Sequence, residues 1–322
     1  MSSNNKIKSE TDLIKKIANR VKLPSRLPSE FIGIGDDCAT FKISENKYAL
    51  FTTDICIENR HFIISKSSPL EIGYKAMVSN ISDIFAMGGY PICVFISLGI
   101  SNAISENFIL KLYDGMNKAL KPTNCVISGG DISKSTELII NITVYGESHK
   151  KPITRQGALV GDDIFVTGSL GGSKAGLDFA LGQTKFSAEF STLLKRHNYP
   201  PNRSNMVDIL SKNYEITSMI DVSDGLLLDL SRIAEKSKCG FILYPNEIKP
   251  HKKLKEYCKK FKHDINEYTL YSGEEYELLF TGKAKTKHSN INKIGTIIED
   301  GFFLYVNDNI IPANVLGFDH FL

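Results

Sequence analysis

The apolar residues of this chain recur with two periods, and the change from one to the other marks its elements. In EIGYKAMVSNISDIFAMGG, residues 71–89, they return every three to four positions. This predicts a helix burying Ala76, Met77, Ile81, Ile84 and Phe85 and ending at the glycines. ENFILKLYDGMNKAL, 106–120, repeats the pattern with Phe108, Leu112 and Met116 on one side. TDLIKKIANRV, near the start, predicts a shorter helix followed by a polar, Pro-containing loop. Short apolar runs bounded by turn residues read as strands: YALFTTD (48–54), PICVFISLGI (91–100), NCVISGGD (124–131) and ELIINITVYGE (137–147), the last alternating less cleanly.

A Lys-containing segment, SHKKPITRQGA (148–158), predicts a boundary between residues 1–150 and 151–322. Beyond it, DDIFVTG (162–168) is a strand that runs into the glycine-rich turn and helix of GSLGGSKAGLDFAL. MIDVSDGLLLDLSRIAEKSKCGF (219–241) repeats that order. SGEEYELLFTG (272–282) is a turn feeding another strand. The basic run HKKLKEYCKKFKH (251–263) reads as a solvated helix face. Mixed strands and helices in both halves predict an α/β protein of the α+β type with two domains.

A length of 322 residues suffices for two cores, and a net charge of +3 does not describe a nucleic-acid binder. The six cysteines are scattered without a C-x-x-C pair, which argues against a zinc site and a disulfide framework. The N-terminal stretch lacks the apolar core of a signal peptide, and no apolar run reaches the roughly 20 residues that span a bilayer. A cytoplasmic protein with no membrane partner is expected.

Aspartates recur at the ends of the apolar strands, beside Gly, Ser or Thr. They are Asp36 and Asp37 in GIGDD, Asp54 in FTTD, Asp131 in SGGD, and Asp221 and Asp224 in DVSDG. Asp83 lies within an otherwise apolar helix, sharing a face with Ser79 and Asn80. Each alone is also an ordinary turn or capping residue; Ser223 and Asp224, for instance, are placed to cap the helix that follows. Together they are too many unpaired carboxylates for apolar surroundings, and few arginines lie near them in sequence. Carboxylates with the hydroxyls of Thr52, Thr53 and Ser223 are hard oxygen donors, which select Mg²⁺ or Mn²⁺ over zinc or copper. Magnesium takes few protein carboxylates and completes its shell with water and phosphate, so the set predicts several ions and a polyphosphate substrate. GSLGGSKA (168–175) imitates a phosphate-binding loop, but Ser173 stands where the second Gly belongs and Ala175 where Ser or Thr belongs. The H-R-D catalytic loop of protein kinases is absent.

These blocks resemble thiamine-monophosphate kinase, of the superfamily that includes aminoimidazole ribonucleotide synthetase. The matching stretches are GIGDDCA (33–39), TTDICIENRHF (52–62), YKAMVSNISDIFAMGG (74–89), SGGD (128–131), TRQGALVGDDIFVTG (154–168), DVSDGLLLDL (221–230), SGEEYELLF (272–280) and GFDHF (317–321), in the family's order. The resemblance implies magnesium ligands at Asp37, Thr52, Thr53, Asp54, Asp83, Asp131, Asp221 and Asp224. It implies ATP contacts at Tyr113, Gly130, Asp131, Arg155 and Ser223, and thiamine monophosphate contacts at His61, Glu274 and Phe318. Asp54, Asp131, Arg155 and Asp221 would carry the transfer. It further implies an N-terminal domain, 1–150, that binds ATP and metal and pairs in a homodimer through a shared barrel-like sheet, and a C-terminal domain, 151–322, that completes the active site. The reaction implied moves the γ-phosphate of ATP to thiamine monophosphate. Related enzymes are set aside on residues: the first 30 positions hold no Cys, as selenophosphate synthetase needs, and the chain ends FDHFL rather than in the Cys of the hydrogenase maturation protein. A non-catalytic scaffold with this fold is expected to lose metal aspartates, and none is lost. The chain departs from the family's usual Gly-Glu-Asp-Tyr at Glu275, and Ser272 stands for a Gly.

Overall fold

The computed structural model describes residue 7 and residues 9–318. The first half contains α1 (Glu10–Ala18), β1 (Ala39–Ser44), β2 (Lys47–Ile57), α2 (Pro69–Ala86), β3 (Tyr90–Ile100), α3 (Glu106–Leu120), β4 (Val126–Lys134) and β5 (Ile139–Ser148). The second contains β6 (Asp163–Thr167), α4 (Gly172–Leu181), α5 (Ser191–Asn198), α6 (Ser204–Asn213), β7 (Tyr214–Asp221), α7 (Leu226–Ser237), β8 (Gly240–Leu243), α8 (Leu254–Phe261), α9 (Ile265–Tyr271), β9 (Leu278–Ala284), β10 (Ile291–Ile298), β11 (Phe302–Val306) and β12 (Asn309–Pro312). The strands form two open sheets, ordered β1-β2-β5-β3-β4 and β12-β11-β8-β10-β6-β9-β7. Within the first, only the β3–β4 pair is parallel. The fold is therefore mixed α/β, as expected.

β5 corrects one expectation: its burial alternates strictly, with Ile140, Ile142 and Val144 inward. It lies between β2 and β3, so one face must meet the core. The strand before it, β4, is a sheet edge and is exposed almost throughout.

Helix α2 begins two residues before the expected start. Ser68 and Glu71 form a capping box and Pro69 opens the first turn. All five residues expected to be buried on it are buried. It packs on α3 at backbone distance. A Cβ on Gly73 would lie 2.0 Å from the Leu112 carbonyl, and one on Gly115 2.0 Å from that of Leu70. These reciprocal glycines clamp α2 against α3, which matters because α2 also carries Lys75, Asn80, Ser82 and Asp83.

The two sheets share a core. Leu278 and Phe280 of β9 join Met77, Ile81, Ile142 and Ile96, while Leu279 between them joins Leu230, Ile233 and Phe241 under α7. A strand buried on both faces reads as an unbroken apolar run, and LLF (278–280) is one. α8 is amphipathic rather than wholly solvated. Its lysines face outward, while Leu254, Tyr257 and Cys258 pack with Phe179 and Phe190.

Candidate active site

Three elements converge at the C-terminal end of β7. DVSDG leaves β7 and turns into α7; α2 passes alongside; the GIGDD turn approaches from the first half. Asp37, Asp83 and Asp221 meet there, each offering an oxygen within 4.8 Å of the others. Each carboxylate has one oxygen fixed by a protein donor. Thr52 Oγ1 donates to Asp83 Oδ2 at 2.5 Å, Ser82 Oγ to Asp221 Oδ2 at 2.7 Å, and Arg155 Nη2 to Asp37 Oδ1 at 2.5 Å. Asp37 Oδ2 is buried with no hydrogen-bond partner.

Burial and mutual repulsion push Asp83, Asp221 and Asp54 toward their neutral forms. Asp83 is raised well above the carboxylate range by burial, then by Asp54 and Asp221. Burial and Asp37 do the same to Asp221. Asp54, beside the trio with its backbone N–H on Asn80 Oδ1, is raised to about 6 by burial, then by Asp224 and Asp37. An orphaned buried oxygen among crowded hard-oxygen donors fits a divalent cation. Cys38, buried beside them, has its thiol pushed up by burial and then by Asp83, so it is no thiolate.

The expectation of few arginine partners is corrected. Arg155, far away in sequence, binds Asp37 through Nε and Nη2, and Asp36 accepts the Arg155 backbone N–H. Arg232 pairs with Asp224 at 2.6 Å. Arg155 and Asp37, expected as ATP contact and metal ligand, thus touch each other. Ser223 and Asp224 do not cap α7 by their side chains; Gly225 holds the cap position. The carboxylate of Asp229 reaches back instead, and its Oδ2 accepts the backbone N–H groups of Ser223, Asp224 and Gly225. Asp229 shapes the whole turn and was not singled out from sequence, where it reads as an ordinary helical acid.

Other expected residues stand apart from the trio. Thr53 faces the opposite side of β2 from Thr52, and its hydroxyl donates to the Ile142 carbonyl. Asp131 and Gly130 lie on the exposed edge strand β4, three strand spacings from β2, about 14 Å across the sheet. Tyr113 is half-buried on α3. Two of the N–H groups at the start of α4, which follow the glycine-rich loop, are already taken by side chains. Ser173 N–H is taken by Glu275 Oε1 and Lys174 N–H by Ser272 Oγ.

Of the three residues expected to contact thiamine monophosphate, Glu274 and Phe318 bond the turn that follows β7 and His61 borders a separate cavity. Glu274, in the left-handed region at φ +56°, donates its N–H to the Ser223 carbonyl at 2.7 Å. Phe318 donates its N–H to the Asp224 carbonyl, while the rest of its block, 319–321, lies outside the described residues. His61 Nδ1 accepts the Ile57 N–H. His61 lines a cavity of about 120 Å³ with Arg60, Lys66, Lys75 and His197. Below Glu274, Glu275 and Glu277 are fully buried and paired with Arg196 and Arg203. The substitution at Glu275 thus supplies a buried ion pair, and its longer side chain also reaches the start of α4.

Models of the AIR synthase related proteins match the chain twice, the N-terminal domain over residues 35–148 and the C-terminal domain over 160–306. The thiamine-monophosphate kinase of Aquifex aeolicus (strain VF5) is 34% identical, covering 89% of this chain and 92% of its own. That of Bacillus subtilis (strain 168) is 32% identical over 97% and 99%. The solved structure "AaThiL complexed with AMPPCP and TMP" superposes with a TM-score of 0.87 at 31% identity, covering 99% of this chain and all of that one. An Escherichia coli hydrogenase maturation protein, HypE, shares the fold alone, with a TM-score of 0.66 at 14% identity over 83% of this chain and 86% of its own. With matching domains in order and relatives above 30% identity across nearly its whole length, the chain belongs to the thiamine-monophosphate kinase family of the AIR synthase related proteins.

Proposed function

We propose that this protein transfers the γ-phosphate of ATP to thiamine monophosphate, yielding ADP and thiamine diphosphate. The carrying observation is the convergence of buried Asp37 and Asp221 with half-buried Asp83, leaving one Asp37 oxygen unpartnered, in a chain whose relatives are thiamine-monophosphate kinases. An oxygen of the acceptor phosphate attacks the γ-phosphorus, the bond to the β-phosphate oxygen breaks, and ADP leaves. The nucleophile is already anionic, so no general base is needed and the protein's part is positioning and charge.

Asp37, Asp83 and Asp221, with Asp54 and Asp224 beside them, are the residues that would hold magnesium, which would supply positive charge against the two phosphate groups brought together. Thr52, Ser82 and Arg155 orient its ligands, as outer partners of metal-bound carboxylates do. Asp229, through three N–H groups, fixes the turn that carries Ser223 and Asp224. Glu274 supplies an anion for the thiazolium ring, Phe318 an apolar face, and His61 a polar edge. Tyr113, Gly130 and Asp131 are assigned to the nucleotide side. The division of labour follows the boundary at 148–158. Residues 1–150 bind nucleotide and metal, and 151–322 complete the site.

A homodimer belongs to the same reading. The face of the first sheet turned away from α2 exposes Phe51, Ile55 and Phe95, the last 45% exposed, with Phe51 stacked on Phe41. An apolar face of this kind calls for a covering surface, and two such faces together make the barrel-like sheet. Phe95→Asp is expected to convert a dimer into a monomer in sedimentation equilibrium; a monomeric wild type would refute the pairing. Among the described residues no helix is long and apolar enough to cross a membrane, and all six cysteines are free, which supports a cytoplasmic setting.

The test is direct. Purified protein with ATP, thiamine monophosphate and titrated Mg²⁺ should form thiamine diphosphate and ADP in equal amounts. Phosphorylation of a different acceptor only, or of none, would overturn the assignment.

A further inference from the structure

Helix α2 sends one more charged residue across to the second half. Lys75 Nζ lies 2.6 Å from Glu274 Oε1 and 3.2 Å from His197 Nε2. An ammonium can only donate, so His197 Nε2 is the acceptor and the ring's proton sits on Nδ1. Nδ1 faces Ser173 Oγ at 3.2 Å and Glu274 Oε2 at 3.6 Å. The chain Lys75–His197–Ser173 therefore runs from α2 through α5 to the start of α4, with the Glu274 carboxylate against its cationic end. Lys75 and His197 also line the cavity that His61 borders. Glu274 itself is held in a left-handed conformation that non-glycine residues avoid, a type of strain that gathers at binding sites.

Resting on the function proposed above, we infer that Lys75 is a positioning residue for the substrate. Braced by His197, it holds Glu274 as an oriented carboxylate beside the cavity, ready for the cationic ring of thiamine monophosphate. The titratable groups that face Glu274 are Lys75, His197 and His61, with Tyr276 and Cys56 beside them. Burial pushes the Glu274 carboxyl up, but Lys75, by its charge and its hydrogen bond, holds it below its ordinary value. His197 is held down to about 4 by burial and then by Lys75, so it is neutral at working pH and leaves the anchoring charge to Lys75. Without Lys75 the burial effect wins. Glu274 then takes up a proton as pH falls, and its attraction for a cation goes with it.

The experiment is the KM for thiamine monophosphate in Lys75→Met relative to wild type, measured from pH 8 to pH 5.5. The ratio cancels the substrate's own ionisation. It is expected to rise severalfold toward pH 5.5, since a half-exposed carboxyl that has lost its cationic partner takes up a proton as pH falls and gives up its hold on the ring. The KM for ATP should stay near wild type, and Lys75→Arg should keep the ratio flat. Lys75→Gln, which keeps a donor but loses the charge, carries the same prediction where the methionine variant does not fold. In Glu274→Gln, Lys75→Met should add no pH dependence. A pH-independent ratio in an active enzyme overturns this inference and leaves the kinase assignment standing; a wild type that makes no thiamine diphosphate overturns both.

Discussion

Asp221→Asn is expected to lower turnover roughly a hundredfold to a thousandfold while the protein still folds, the loss expected when several kcal/mol of charge stabilisation disappear. Retention of the fold follows from the surroundings of Asp221. It is buried, its carboxyl is pushed up by burial and by Asp37, and Ser82 Oγ donates to it. Asparagine keeps an oxygen for Ser82 and removes one of the crowded negative charges. The metal-free variant should therefore be at least as stable as wild type near pH 7.5. The sign for wild type is clear. A carboxyl whose folded pKa lies above its unfolded value of about 3.9 favours folding at low pH, and that contribution is lost as pH rises. With Asp54 raised to about 6, metal-free wild type should lose stability at this site between about pH 4 and pH 6. Added Mg²⁺ should then raise the melting temperature strongly at pH 7.5 and little at pH 5. Asp221→Asn should blunt that rise. Normal turnover of the variant at limiting Mg²⁺, or an undiminished Mg²⁺ shift, would remove Asp221 from the metal site.

How much of this was readable in the sequence depended on the range of the interaction. Period and capping act within a few residues, and α2, β3 and α3 lie close to their expected places. β5 was harder. Its outward positions include Ile139 and Tyr145, apolar residues on the uncovered face of the sheet, so the alternation was hidden although the burial alternates cleanly. Strand-end aspartates were visible because Asp is conspicuous after an apolar run, and two of them, Asp37 and Asp221, converge with the helical Asp83. Their partners were not visible. Arg155 meets Asp37 across 118 positions, Ser82 meets Asp221 across 139, and Lys75 meets His197 across 122. Nothing local distinguishes Lys75 from a solvated helix lysine, or Asp229 from a surface acid. What separates them is the packing of α2 and α7 against elements that come later or earlier in the chain. Thr52 and Thr53 show the converse limit: adjacent in sequence and chemically alike, they are divided by the strand's two-residue period onto opposite faces.

Glu277→Ala is expected to be the most destabilising of these substitutions, by about 3–5 kcal/mol, the usual cost of removing one partner of a buried ion pair. Glu277 is fully buried, and both its oxygens are engaged. Arg203 binds Oε1 and Oε2, Arg196 reaches Oε1 at 3.0 Å, and Thr167 Oγ1 donates to Oε2 at 2.6 Å. With Glu275, which pairs with Arg196 at 2.8 Å, the group holds two acids and two arginines and is neutral as a set. Alanine leaves an uncompensated guanidinium charge away from water, together with a cavity. Gly168 marks how tightly the network is packed: a Cβ there would fall 2.1 Å from Glu277 Oε1. The exposed pair Lys260–Glu189 offers the contrast, since Glu189→Ala removes the same kind of contact in open solvent and should have no measurable effect. The comparison is made by denaturant unfolding of both variants beside wild type. A loss in Glu277→Ala no larger than in Glu189→Ala would mean that water or a rearranged Glu275 takes over the arginines. The expected loss reaches the substrate side as well, because Glu275 and Glu277 flank Tyr276 in the segment that presents Glu274. An enzyme that survives Glu277→Ala at low temperature should bind thiamine monophosphate more weakly while its KM for ATP changes little.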